Sequence, residues 1–454
     1  MRAPGICAAV TVALLAAGWA ASAQASPEDI MGWGPRSPAM GGTGAACSNG
    51  ADATYTNPAL LSRVHRNMVT LGLSGATFDL SATGPQLPGR VSVLPAKGYV
   101  VGVEVPVPFG GLLKDRVAAG FAFYTPTNAL VRGRIQYPEV PEYPLLADRA
   151  QSLAIRIGAG ADLGYGIRAG AGVAALANLV GSIDVANTAG TVTSRVDDKL
   201  IATYAPTFGL AWDLPFDRAP DGSTRWRIGA TYRGSIGATF GVNVDASKLS
   251  SLNLPVFNIA GVAQYDPPEI VFEAAREWDG WTVAAGVTWK HWSAYPGVFE
   301  PTILCPADTD CAALTPPQIA FSDTFVPRVG AEKVLPLPRH ASVRLRAGFF
   351  YEPTPVPAAL AASPAYDLAS QGLVNEPTRF FDASRYSVSI GGGVDMGDLA
   401  PFTIDAWAQL QALSSTTQQT CTGSFTPCSP DIGTGPASLS GTVLAYGAML
   451  GVRF

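Results

Sequence analysis

Near its C-terminus the chain alternates strictly. Leu444, Tyr446, Ala448, Leu450, Val452 and Phe454 are apolar, while Ala445, Gly447, Met449, Gly451 and Arg453 between them are, Met449 apart, small or polar. Successive side chains of a strand point to opposite faces, so this segment has one greasy face and one small or polar face. A strand tilted across a bilayer needs about 9–11 residues, and barrels in membranes repeat such strands around a closed ring.

The same period recurs upstream. Trp226, Ile228, Ala230 and Tyr232 alternate with Arg227, Gly229, Thr231 and Arg233. Val343, Leu345 and Ala347 alternate with Ser342, Arg344 and Arg346. Trp281, Val283, Ala285, Val287 and Trp289 form another apolar stripe, and Phe402, Ile404, Ala406, Ala408 and Leu410 oppose Thr403, Asp405, Trp407, Gln409 and Gln411. A soluble sandwich would alternate too, but it would not place Trp, Ile and Tyr on its exposed faces.

Composition fits an all-β chain facing lipid. Charged residues make up only 14%, and no apolar run after the N-terminus approaches the length of a membrane-spanning helix. Gly 49 and Pro 37 suit many turns and close strand packing. A net charge of −5 over such a length argues against a nucleic-acid partner. Arg2, the apolar run from Ile6 to Ala17, and small-residue sites at Ala21-Ser22-Ala23 and Ala23-Gln24-Ala25 predict a secretory signal peptide over residues 1–25. Cys7 lies within that run, away from the cleavage sites, so a lipid anchor is not expected. Phe454 closing the last strand matches the assembly signal of bacterial outer-membrane proteins, which predicts that location and engagement of the barrel assembly machinery.

About fourteen strands can be counted, near 67–78, 98–106, 116–126, 151–160, 164–180, 201–213, 225–241, 268–277, 281–294, 322–334, 341–352, 384–396, 401–413 and 438–454. Brief connections are expected at Ala161-Asp162-Leu163, Trp278-Asp279-Gly280 and Gly397-Asp398-Leu399-Ala400, and long ones at 127–150, 242–267, 295–321, 353–383 and 414–437. Short and long roughly alternate, as periplasmic turns and extracellular loops do. Cys305 with Cys311, and Cys421 with Cys428, each fall in one long loop; local disulfides are expected in an exported protein, with free pairs as the alternative. Cys47 is left over, and no histidine near the pairs completes a zinc site.

Residues 26–66 lack strand alternation and are rich in Gly, Ala and Asn. Because a fourteen-strand lumen is too wide for wall side chains to fill, this segment is expected to plug the barrel formed by residues 67–454. Its Gly34-Pro35-Arg36-Ser37-Pro38-Ala39-Met40-Gly41-Gly42 and Asp52-Ala53-Thr54-Tyr55-Thr56-Asn57-Pro58-Ala59-Leu60 resemble the plug of the FadL/TodX family of outer-membrane transporters for long-chain fatty acids and other hydrophobic compounds. Gly229-Ala230-Thr231-Tyr232-Arg233, Trp289 to Trp292, and Arg346-Ala347-Gly348-Phe349-Phe350-Tyr351 followed by Pro353 are similar as well. The resemblance implies a transmembrane antiparallel barrel with an N-terminal hatch and diffusion-driven uptake: outer capture, an interior pocket, hatch rearrangement, and lateral exit near the third strand. The family's helical outer loops are not evident, since Pro138, Pro141 and Pro144 discourage a helix in 127–150. Ala358 to Gly372 could form a short helix, interrupted by Pro364.

Several residues follow as candidates. Asn57, Pro58 and Ala59 would hold the hatch turn, or form an ordinary Asn-Pro turn. Gly120 and Pro126 would bracket a lateral gap, or a plain strand end. Inward Arg227, Arg233, Lys290, Arg344 and Arg346 could meet a fatty carboxylate, or pair with lumenal acids. His65, His291 and His340 show no triad or metal spacing. Gly164-Tyr165-Gly166-Ile167-Arg168-Ala169 spells a dinucleotide fingerprint but precedes no helix and reads as strand glycine. Expected partners are a hydrophobic small molecule, outer-membrane lipid and lipopolysaccharide; no enzyme activity, cofactor or metal is expected. A porin for polar solutes, a lipid hydrolase with a Ser/His pair at the outer rim, and a structural or adhesive barrel are the competing readings.

Overall fold

The computed structural model describes residues 28–127, 140–147, 153–188, 191–217, 225–248, 256–295, 299–304, 319–367, 372–422 and 435–454. The expected signal peptide, Cys305, Cys311 and Cys428 lie outside these residues. Fourteen wall strands close an antiparallel barrel: β1 (Met68–Thr83), β2 (Ala96–Pro106), β3 (Val117–Pro126), β4 (Ala154–Gly164), β5 (Ile167–Thr188), β6 (Thr191–Asp213), β7 (Trp226–Arg233), β8 (Glu269–Trp278), β9 (Trp281–Lys290), β10 (Thr324–Pro336), β11 (Ser342–Glu352), β12 (Arg385–Asp395), β13 (Phe402–Thr422) and β14 (Ala437–Arg453). Closure is made by β14 against β1, in register from Met68 opposite Arg453 to Thr83 opposite Ser438. A closed ring leaves no wall edge in lipid, which is why strands can cross a bilayer at all.

The alternation read from the sequence is the alternation in space. Leu345 and Ile404 are more than half exposed on the outer face, while their neighbours Arg346 and Asp405 are buried inside. Beyond the wall, Ile236–Lys248 and Val256–Asp266 extend β7 and β8 as a hairpin, and the first of these also pairs in parallel with the outer part of β5.

Three local expectations are corrected. The turn after β4 is Tyr165-Gly166, not Ala161-Asp162-Leu163; Tyr165 at φ 54° and Gly166 at φ 78° take the left-handed conformations a two-residue hairpin requires. Of the fingerprint-like glycines, Gly164 ends strand β4 as expected and Gly166 is a turn glycine. The stretch from Ala358 to Gly372 is not helical where described: Ser363–Asp367 pairs with Gly372–Glu376 as a hairpin that includes the helix-breaking Pro364. The turn Asp279-Gly280 between β8 and β9 is as expected.

Residues 28–64 contain no strand. They fold into single turns, Glu28–Met31, Pro38–Met40, Gly50–Asp52, Ala53–Thr56 and Pro58–Arg63, and are almost wholly buried within the ring. The wall makes room for them with glycines. A Cβ added at Gly120, Gly170, Gly209, Gly229, Gly330 or Gly348 would come within 3.0 Å of this segment, meeting respectively Thr54, Ala59, Asn57, Ala45, Met40 and Gly41. These positions lie on β3, β5, β6, β7, β10 and β11, so side-chain-free patches around much of the inner wall form the seat of the N-terminal segment.

Candidate functional site in the barrel lumen

Asn57 links the N-terminal segment to the wall. It is extended (φ −164°, ψ 103°) and caps the turn Pro58–Arg63, its Oδ1 accepting from the Ala59 N–H at 3.0 Å. Pro58 occupies the first helical position, where a missing N–H is harmless. The Asn57 amide Nδ2 donates to the Ala45 carbonyl at 2.6 Å and to the Leu210 carbonyl of β6 at 2.9 Å. Asn supplies the acceptor and both donors from one short side chain; neither Asp nor Ser could.

Carboxylates hold the rest of the segment. Glu273 of β8 accepts from the Gly44 and Ala46 N–H groups at 2.8 and 2.9 Å. Asp52 accepts from the Arg36 and Ser37 N–H groups at 3.0 and 2.7 Å. Burial pushes the Asp52 carboxyl up to about 7, against these hydrogen bonds and the nearby Arg346 and Arg36, which favour its ionised form. Arg36 pairs with Glu332 of β10 at 3.0 Å, Glu332 holds Arg346 of β11 at 2.6 Å, and Arg346 reaches Asp405 of β13 at 2.6 Å. Arg36 also donates to the Cys47 carbonyl. Glu28 pairs with Arg156 of β4 at 2.9 Å, and the Tyr55 ring lies between the guanidiniums of Arg156 and Arg233, 4.7 and 4.6 Å from its centroid. Breaking one member of such a buried network costs about 3–5 kcal/mol, because a charge is left uncompensated.

All five expected lumenal cations face inward, and each already holds a carboxylate of this chain. Arg227 pairs with Asp213 and with Glu277, Arg233 with Glu269, Lys290 with Glu352, Arg344 with Asp395, and Arg346 with Glu332 and Asp405. Pairing with lumenal acids is thus the arrangement found. A different cation, absent from the sequence-derived set, has no carboxylate partner among the described residues. Arg328 of β10 donates to the Thr288 hydroxyl at 3.3 Å and the Gly41 carbonyl at 3.5 Å and covers the Phe350 ring at 4.9 Å. It borders a cavity of about 40 Å³ shared with Tyr55, Gly42 and Arg233. That space is comparable to a few waters or one carboxylate group. Its set of partners was the missing signal, because an inward arginine in β10 looks no different in sequence from those in β7 or β11.

The expected wall break at Gly120 and Pro126 is not found. The β3 ladder runs unbroken against β2 from Ala118 to Pro126 and against β4 from Val117 to Tyr124. Gly120 makes room for Thr54 and Leu61 instead. Cys421 is disulfide-bonded, and Cys47 is buried and free.

At the long-loop end, Tyr265, Trp292, Tyr295, Phe321 and Phe380 form a buried aromatic cluster with Leu145, Val356 and Leu360. Its rings lie 4.5–6.4 Å apart, within the range of favourable aromatic contacts. These residues come from several connections, Trp292, Tyr295 and Phe321 from the one between β9 and β10, so no local pattern announces the cluster. Close by, His291 Nδ1 lies 3.0 Å from Asp323 and 3.2 Å from the Ser293 hydroxyl. One ring nitrogen faces both, whereas a nucleophilic relay needs the two nitrogens to serve opposite partners. No cluster suited to a metal ion occurs among the described residues.

The family model for outer membrane protein transport proteins (OMPP1/FadL/TodX) matches residues 9–363. The chain belongs to the FadL/TodX family of outer-membrane proteins. Alkane uptake protein A of Marinobacter nauticus is 24% identical over 316 residues, covering 67% of this chain and 68% of that protein. Among solved structures, a Pseudomonas aeruginosa FadL homologue superposes with a TM-score of 0.59 at 15% identity over 96% of this chain and all of the other. The toluene transporter TodX of P. putida does so with 0.53 at 17% identity, over 93% and 98%. At such identities these structures speak for the fold, and with the family model they place this barrel in the outer membrane.

Proposed function

We propose that this FadL/TodX-family barrel takes up hydrophobic small molecules by diffusion, with residues 26–66 acting as its hatch. The observation that carries the reading is the seat: a segment without strands, buried in the lumen, tied to the wall through Asn57, Glu273, Arg36 and Glu28. An aqueous porin needs an open lumen, and here that space is occupied. The aromatic cluster at the mouth suits an apolar cargo at entry, and the alkane uptake protein and toluene transporter to which this chain is similar support the cargo class.

Hatch movement connects capture to release. Withdrawal of Thr54 and Leu61 from Gly120 would leave a stretch of β3 with no side chain behind it and open space for cargo along the inner wall. Arg328 is the residue suited to a cargo carboxylate, because, unlike the five paired lumenal cations, it has no acid to displace among the described residues. The test is uptake by cells carrying the barrel as their only route for such cargo. Hexadecane and oleate should enter, and purified protein in planar bilayers should conduct few ions. Passage of small sugars with no competition from either hydrophobe would overturn the reading.

A further inference from the structure

The lipid-facing wall carries a second site that the uptake path does not use. Across the short-turn halves of β5 to β9 the outer surface sinks into an apolar trough of about 650 Å³. Its floor is built of alanines: Ala274 on β8 stands between Ile228 on β7 and Ala285 on β9, with Ala230 one step further from the turns. Its rim is built of large residues, among them Leu210, Trp212 and Phe272. Small residues flanked by large ones turn a smooth barrel face into a channel lying in the plane where hydrocarbon chains run.

The trough ends at a cation. Phe272, Ala274, Arg276 and Trp278 share the outer face of β8, so Arg276 stands about 7 Å beyond Ala274 at the membrane boundary. Its guanidinium lies between two indoles, 5.4 Å from Trp226 and 5.3 Å from Trp278. Indoles of this kind mark the interface where headgroups sit. Asp217 is shared by Arg276 at 2.9 Å and Arg225 at 3.1 Å, so the two arginines and one carboxylate carry a net positive charge. The Nε atoms of both arginines lack an acceptor among the described residues. A buried N–H left without an acceptor is unfavourable, and an oxyanion would supply one.

We propose that this trough and the Arg225–Arg276 pair bind one phospholipid of the periplasmic leaflet, an alkyl chain lying over Ala274 and Ala285 and the phosphodiester at Arg276. The short turns put the site at the periplasmic end. The charges match, since a phosphodiester brings the single negative charge that the cluster lacks, and the chain and headgroup ends lie in the order a lipid of that leaflet presents them. A free phosphate would leave the trough unused.

The experiment is native mass spectrometry of the purified full-length barrel in detergent with dioleoyl phosphatidylglycerol. Wild type should retain one lipid. Ala274→Phe fills the floor, and the double substitution Arg225→Gln with Arg276→Gln removes the charge; each should lower one-lipid occupancy by about fivefold or more. Ala406→Phe, on the lipid face of β13, should leave it unchanged. Heat-modifiable migration on gels reports folding for each, and the arginine double variant decides the question should Ala274→Phe fail to fold. Occupancy unmoved by the double variant, or lowered equally by Ala406→Phe, would overturn the proposal.

Discussion

Asn57 donates to the main-chain carbonyl of Leu210, 2.9 Å away, and so joins the N-terminal segment to wall strand β6 through a side chain that also caps its own turn. A main-chain acceptor in a barrel strand does not move, which makes this bond a fixed reference for the segment. Whatever loosens Asn57 loosens the turn and its docking together.

Replacing Asn57 by Ala should remove both. Loss of a cap costs about 1 kcal/mol, and an unmet carbonyl about as much again, so local opening of the segment should become roughly tenfold or more frequent. Hydrogen exchange at the Ala59 amide would read this directly. Barrel yield should hold, because no wall ladder is touched; unchanged exchange would show that the capping bonds do not limit opening.

The glycine seat makes a sharper forecast. A Cβ at Gly348 would meet the backbone of Met40 and Gly41, which cannot swing aside as a side chain can. Gly348→Val should therefore prevent seating and raise ion conductance in planar bilayers. Gly110→Ala is the control, since nothing lies within 4 Å of a Cβ there. Equal conductance in the two variants would contradict the seat.

Arg328 should matter for charged cargo alone. With no acid partner among the described residues it can take a carboxylate, and a charge-assisted hydrogen bond is worth about 1.5–3 kcal/mol. Arg328→Gln should reduce oleate uptake by about tenfold while sparing hexadecane. A parallel fall in both would mean that Arg328 shapes the lumen instead of reading the cargo.

Docking of the segment should depend on pH through Asp52. Its carboxyl, usually at 3.8, is pushed up to about 7 by burial. The seated state then binds a proton more tightly than the released one, so seating is firmest below about pH 4, weakens as pH rises, and levels off above about 7. Arg36 and Arg346 face the same group and favour its ionised form, and Glu104 on β2 is the neighbouring carboxyl that feels the charge of Asp52. Exchange protection of residues 36–57 measured from pH 5 to 8 should fall with pH, and Asp52→Asn should flatten that dependence. A profile unaltered in Asp52→Asn would assign it elsewhere.

Which side chains meet lipid and which meet the lumen was legible residue by residue, because strand alternation is a local rule that each segment states for itself. All fourteen wall strands were counted that way, and the long and short connections followed. Turn positions slipped by a few residues after β4, since Asp162, Gly164 and Gly166 each suit a turn and only backbone geometry selects Tyr165-Gly166. The contacts inside the ring were another matter. Arg36 and Glu332 are 296 positions apart, and nothing in the sequence around either one names the other. Inward cations are visible in the sequence, but which of them are neutralised is not, so nothing there separates Arg328 from the five that hold carboxylates. Gly120 read as a weakness in the wall and proved to be a place kept empty for Thr54 and Leu61. Periodicity sets the direction of a side chain; its partner is set by ring closure, which brings distant strands and the N-terminal segment into one lumen where burial makes every unmatched charge expensive.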